Sequence, residues 1–227
     1  MNTIIILDFL KELERNNNLD WMHANKAYYN EAKACFEKLL QELIEGLTVF
    51  DSSVAGLNPK DLVFRLNRDT RFSKDKAPYN PSFRAHISVA GRVPVPAGYY
   101  LNVKPGNCFL GGGVFAACLP NATVMVRDYL AADPVGFEKI ISPKDFKANF
   151  TVMGEKLKNV PKGYEKEHPL AEYLKHKSWD IEYHLSDAEF CDADHNVSLM
   201  LAKFRLMRPF NDYLNLALKD FTLPKRP

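Results

Sequence analysis

The chain has 227 residues, 46% hydrophobic and 26% charged, with a net charge of +2 at neutral pH. These values exclude a disordered chain and a polycation that coats nucleic acid by bulk charge. A chain of this length buries about 70% of its unfolded surface, so it needs no metal or disulfide staple to fold.

Residues 4–15 read as a short amphipathic helix with Phe9, Leu10 and Leu13 inward. Asn16, Asn17 and Asn18 break it, and Asp20 caps a longer helix whose apolar positions run Tyr28, Ala32, Cys35, Leu39, Leu43 and Leu47, with Gly46 near its end. Between residues 62 and 115 the period changes to two. Leu62, Phe64 and Leu66 alternate with Val63, Arg65 and Asn67; Phe83, Ala85, Ile87 and Val89 with Arg84, His86 and Ser88; Tyr99, Leu101 and Val103 with Tyr100, Asn102 and Lys104. Gly91, two prolines within 93–97 and Pro105-Gly106-Asn107 separate these runs, which predicts an antiparallel meander. A fourth run, 108–115, carries Gly111, Gly112 and Gly113, where a ligand can approach the backbone.

Pro120 predicts a helix to about residue 132, and Ser142-Pro143 starts another. Residues 178–185 read as a strand, and Asp194 and Pro209 as the starts of two C-terminal helices. The expected fold is α+β in a single domain, 1–227. Helices fill 4–47, strands dominate 62–115, and 120–220 is helical with one or two strands. The sheet has four to six antiparallel strands packed with the N-terminal and C-terminal helices.

Charge is unevenly spread. Residues 60–104 carry nine basic and three acidic side chains, +6 against +2 for the whole chain, which leaves the remainder at −4. Three arginines and two lysines fall within residues 65–76, interleaved with Asp69 and Asp75. Arginine forks grip phosphate or carboxylate through paired hydrogen bonds. Arg65, Arg68, Arg71, Lys74, Lys76, Tyr79, Arg84, Tyr100 and Asn102 are therefore the candidate ligand-binding residues. His86, among cations that lower its pKa, and Asp69 are the candidate acid/base pair for a phosphoester-directed hydrolase. The same basic loop also fits a nucleic-acid or protein interaction module, less well because the whole chain is near neutral. The competing reading is a solvated loop whose Arg–Asp pairs only hold its shape.

The run Arg-Asp-x-Arg-Phe-Ser-Lys-Asp-Lys-x-Pro-Tyr at 68–79 resembles the hallmark of a family of bacterial and some fungal proteins catalogued as domain of unknown function 2461. Asp20-Trp21, Gly111–Gly113, Lys162-Gly163-Tyr164, His168-Pro169 and the Pro209 segment match it too, so the resemblance covers nearly the whole chain. Met22 stands where the family usually has Phe, and Asn80-Pro81 where it has Lys-Thr, which removes one cation. The resemblance implies no established activity.

The remaining signals are weaker. His168, Glu172 and His176 share a helical spacing, and Asp192, Asp194 and His195 cluster, but neither group is a complete ligand set, so no metal is expected. There is no P-loop or Rossmann fingerprint, and no cofactor is expected. Cys35, Cys108, Cys118 and Cys191 form no C-x-x-C pair and read as reduced residues, Cys108 and Cys118 as small core side chains. Trp21, Tyr28 and Tyr29 read as core and rim. The first residues lack a secretory pattern, and no apolar run approaches the ~20 residues of a membrane span. The cytoplasm is the expected location, and the expected partner is a small anionic ligand.

Overall fold

A computed structural model describes residues 2–115 and 119–224. Its helices are α1 (Ile4–Arg15), α2 (Leu19–Ala24), α3 (Lys26–Thr48), α4 (Pro59–Leu62), α5 (Pro120–Ala132), α6 (Pro134–Ile141), α7 (Lys144–Asn149), α8 (Ala171–Leu174), α9 (Asp187–Cys191) and α10 (Asn196–Ala217). Its strands are β1 (Phe83–Ile87), β2 (Tyr99–Val103), β3 (Cys108–Val114) and β4 (Trp179–Leu185), forming one antiparallel sheet in the order β1-β2-β3-β4. The fold is α+β, as the alternation of periods predicts.

The chain divides into two compact units. Unit 1 comprises Met1–Arg92, Tyr100–Leu110 and His184–Ala202; unit 2 comprises Val93–Tyr99, Gly111–Tyr183 and Lys203–Pro227. In unit 1 the buried residues of α1 are Ile6, Leu7, Phe9, Leu10 and Leu13, a helical stripe. Phe9 lies within 6.0 Å, centroid to centroid, of the rings of Trp21, Tyr28, Tyr29 and Phe83, and Phe36 of α3 stacks on Phe83 at 5.3 Å. Each such ring pair adds about 0.5–1.5 kcal/mol beyond its buried area. Unit 2 has its own aromatic centre, where Phe137 meets Tyr173, Phe210 and Tyr213.

The structure departs from the predicted elements in several places, among them 142–143, where Ser142 closes α6 and Pro143 is the N-cap of α7, and Asp194, which precedes a helix that begins at Asn196. The long N-terminal helix is two, with the break at Asn25, whose backbone amide and side chain both donate to the Trp21 carbonyl at 2.9 Å and close α2 there. Its first part is capped by Asn18, whose side chain accepts from the Trp21 amide, rather than by Asp20. Residues 62–67 are no continuous strand: Leu62 ends α4, and the segment is tied down by isolated bridges, Val63 to Ala85 and Asn67 to Tyr79, and by single backbone bonds such as Phe64 N to the Arg84 carbonyl. Pro209 lies inside α10 instead of starting a helix. Gly46 also sits within a helix; a Cβ there would fall 2.3 Å from Leu201 Cδ1, so glycine permits a close approach within unit 1.

Candidate functional site

The basic segment is a hairpin whose root is fixed by backbone bonds. Asn67 and Tyr79 form the bridge, Arg68 N donates to the Pro78 carbonyl at 2.9 Å, and Asn80 N to the Leu66 carbonyl at 2.8 Å. The Asn17 amide clamps the root in both directions, donating to the Tyr79 carbonyl at 2.9 Å and accepting from the Tyr79 amide at 3.1 Å. The asparagine run that reads as a helix breaker thus also anchors the hairpin.

Beyond the root, the loop is shaped by its own charges. Arg71 grips Asp69 through Nε at 2.9 Å and Nη2 at 2.6 Å, and Asp69 also accepts from the Arg71 amide. Arg68 pairs with Asp75 and reaches the Ala77 carbonyl at 3.3 Å. Asp75 in turn accepts from the Ala77 amide at 2.9 Å, and Lys76 Nζ donates to the Thr70 carbonyl at 3.0 Å. The Arg71 side chain holds the Asp69 carboxyl below the ordinary carboxylate range; the Ala77 amide, then Arg68, does the same for Asp75. Arg65 and Lys74 are exposed, and Phe72 at the tip is 95% exposed, with the Arg71 guanidinium 5.7 Å from its ring.

A groove of about 420 Å³ opens at the hairpin root, lined by Met22, His23, Lys26, Tyr29, Leu66, Asn67 and Tyr79. This volume is within the range of ligand pockets, about 300–1,000 Å³. Lys26 Nζ stands 4.5 Å over the Tyr29 ring, which holds a cation beside an aromatic face. Of the predicted binding residues only Tyr79 lines this groove; Met22 and His23 of α2 and Lys26 and Tyr29 of α3 were not among them.

Arg84 and Tyr100 belong to another group, on the sheet. The Arg84 guanidinium lies 5.4 Å from the Phe64 ring, Phe64 stands 6.1 Å from Tyr100, and Arg84 Nε is buried with no hydrogen-bond partner among the described residues. Phe64, whose alternation with Val63 and Arg65 implies the core-facing set of a half-buried strand, is half-exposed beside them because the irregular 62–67 segment breaks strict alternation. His86 and Asn102 follow on the same strands but are buried: His86 Nδ1 lies 2.9 Å from the Gly91 carbonyl, and Asn102 accepts from Ser82 Oγ and donates to the Asn107 carbonyl.

In unit 2 the glycine strand serves packing. Gly113 has φ +100°, and a Cβ there would fall 2.1 Å from the Trp179 carbonyl oxygen; at Gly112 it would meet Asn211 Oδ1 at 3.0 Å. The Asn211 side chain accepts from the Gly113 amide at 2.7 Å and donates to the Gly98 carbonyl at 2.9 Å. The space that the sequence suggests for a ligand is filled at Gly112 by Asn211 and Met207 of α10 and at Gly113 by the Trp179 backbone of β4.

The other candidate residues have separate engagements. His168 contacts the Ala131 carbonyl, Glu172 pairs with Lys175, His176 is buried, and His195 pairs with Asp192. Among the described residues no cluster of three or more His, Cys, Asp or Glu is arranged to hold a metal ion. Cys35, Cys108 and Cys191 are free thiols, burial pushing Cys108 up to about 12; Cys118 lies outside the described residues. No helix among the described residues is long and apolar enough to cross a membrane.

The four-stranded antiparallel sheet with its helices, and a charge-rich hairpin braced by Asn17, define an α+β protein with a distinctive basic loop. The model of the conserved hypothetical protein family DUF2461 matches residues 5–213, and the chain belongs to that family. No curated protein and no solved structure matches it.

Proposed function

We propose that the protein binds a small phosphate- or carboxylate-bearing molecule in the groove at the hairpin root. The observation that carries this reading is the lining itself. Half-exposed Tyr29, with the buried Tyr79, Met22 and Leu66 beside it, offers apolar and aromatic contact, while Lys26, His23 and Asn67 offer charge and hydrogen bonds. That mixture suits a ligand with a flat or apolar body and an anionic group. The Arg–Asp pairs then serve a different purpose from direct grip. They hold the hairpin in one shape, so its root is organised before the ligand arrives. Arg65, two residues from Asn67, adds long-range attraction, and Arg68, Arg71, Lys74 and Lys76 raise the local positive field.

Binding is favoured over hydrolysis by the state of the two acid/base candidates. His86 is buried against the Gly91 carbonyl, and Asp69 is gripped by Arg71, which makes it a weaker base. The test is isothermal titration of nucleotides, phosphosugars and dicarboxylates into the wild type and Lys26→Ala. At least one class should bind saturably, with affinity reduced about tenfold in the variant, as expected for loss of one charge-assisted hydrogen bond. Absence of binding across all three classes by folded protein would overturn the reading.

A further inference from the structure

We propose that the outward sheet face of unit 1 is a stacking platform for the unpaired bases of single-stranded nucleic acid. Four rings stand in a row across this face: Phe64, then Tyr100 of β2, Phe109 of β3 and His184 of β4. Successive centroids are 6.1, 5.9 and 5.6 Å apart, and Tyr100 and Phe109 lie within 28° of parallel. Phe64, Tyr100 and Phe109 are half-buried and His184 is exposed, while His86 and Asn102, two residues further along β1 and β2, are buried, so it is this end of the face that meets solvent. At the Phe64 end the row closes with a planar cation, the Arg84 guanidinium, whose Nε has no partner among the described residues.

Cross-strand rings alone stabilise a sheet and need no ligand. The surrounding charge is what selects an occupant. The Phe64 amide donates to the Arg84 carbonyl at 2.9 Å, so the segment leading into the basic hairpin runs along the edge of this face. Arg65 follows directly, the exposed Lys74 and Phe72 lie in the hairpin beyond, and residues 60–104 carry the local +6. A row of rings with cations at its Phe64 end, and Glu182 beside His184 at the other, matches a polymer whose bases each present a π-face and whose charged backbone enters at the Phe64 end. An unpaired strand fits and a duplex does not, because stacking within a duplex already covers its base faces. The row shares no residue with the groove, so it stands or falls separately from the small-ligand reading.

The experiment is fluorescence polarisation with labelled oligo(dT) and oligo(rU) of about twelve nucleotides, within the range held by a single-strand site. Binding should weaken as salt rises from about 50 to about 200 mM, with a log–log slope near −2 if about three phosphates are neutralised. Tyr100→Leu combined with Phe109→Leu should weaken it by about tenfold or more. Because that double variant can also disturb the sheet, His184→Ala and Arg65→Gln, both at exposed positions, provide the control. The first should lower affinity and the second should flatten the salt slope, with unfolding midpoints unchanged. Three outcomes would each overturn the proposal. These are no binding at low salt, duplex of equal length bound as well as single strand, or acidic polypeptide and anionic vesicles bound equally with no effect of the ring variants.

Discussion

Asn211 in unit 2 and Asp69 in unit 1 are both short polar side chains that hold a backbone in place, but they work in opposite surroundings. Asn211 is 3% exposed and bridges the Gly113 amide and the Gly98 carbonyl. Asp69 is exposed, and the arginine it holds has a side chain 77% exposed. Elsewhere in unit 2 further polar groups are sealed in: Arg127 is buried and donates twice to the His176 carbonyl, and His176 is fully buried, its Nε2 without a hydrogen-bond partner among the described residues. In the hairpin each bond competes with water. The lesson is that a dense polar sequence motif and a dense polar interior do different things. The first leaves charge accessible at modest energetic gain; the second contributes stability because its groups have no alternative partner.

The contrast is broken most severely at Gly113. Gly113→Val would place a branched side chain at φ +100° against the Trp179 carbonyl, and should cost about 3 kcal/mol or more, or prevent folding, as measured by urea denaturation. Asn211→Ala leaves a buried amide and carbonyl unpaired, and should cost about 2–4 kcal/mol in the same experiment. A loss below about 0.5 kcal/mol would mean that the unit 2 network is not the stabilising element it is taken to be.

Two buried titratable groups of unit 2, His176 and Asp180, make stability depend on pH. Burial holds His176 below its ordinary value of 6.5, so the unfolded chain binds this proton more readily than the folded protein does. Stability from this group is therefore full above 6.5 and is lost as pH falls through the lower folded value. Burial raises Asp180 above 3.8, so its contribution has the opposite sign, present below 3.8 and lost as pH rises through the folded value. Unfolding midpoints should decline as pH drops below 6.5, and His176→Gln should remove part of that slope. An unchanged slope in the variant would assign the acid sensitivity to other groups. The smallest effect belongs to the hairpin: Arg71→Ala breaks an exposed pair and should leave the unfolding midpoint unchanged within measurement.

The fold was legible wherever one period governed a segment. Helix 4–15, the strands at 83–87 and 99–103 and the helix from Pro120 follow directly from spacing and end signals. It was less legible where side chains compete with the backbone. Asn25 closes α2 ahead of an apolar stripe that begins at Tyr28, so the spacing does not register the break, and Pro209 sits within a helix that packing carries past the missing amide. The hairpin stood out because arginine and aspartate alternate so closely. The groove did not, because its lining joins residues 22–29 with residues 66–79 through Asn17 and the Asn67–Tyr79 bridge, a tertiary fact with no local pattern. The sheet row was partly visible in Arg84 and Tyr100; Phe64 was assigned to the core by an alternation that the isolated bridges do not maintain.

The central claim is most directly tested by locating a bound anion. Crystals grown with a selenate- or thiophosphate-bearing ligand, phased on its anomalous signal, should show that group within hydrogen-bond reach of Lys26 Nζ and Asn67, with the ligand body against Tyr29 and Tyr79. A signal confined to Arg71 and Lys74 at the hairpin tip, or an empty groove at saturating ligand, would contradict the account.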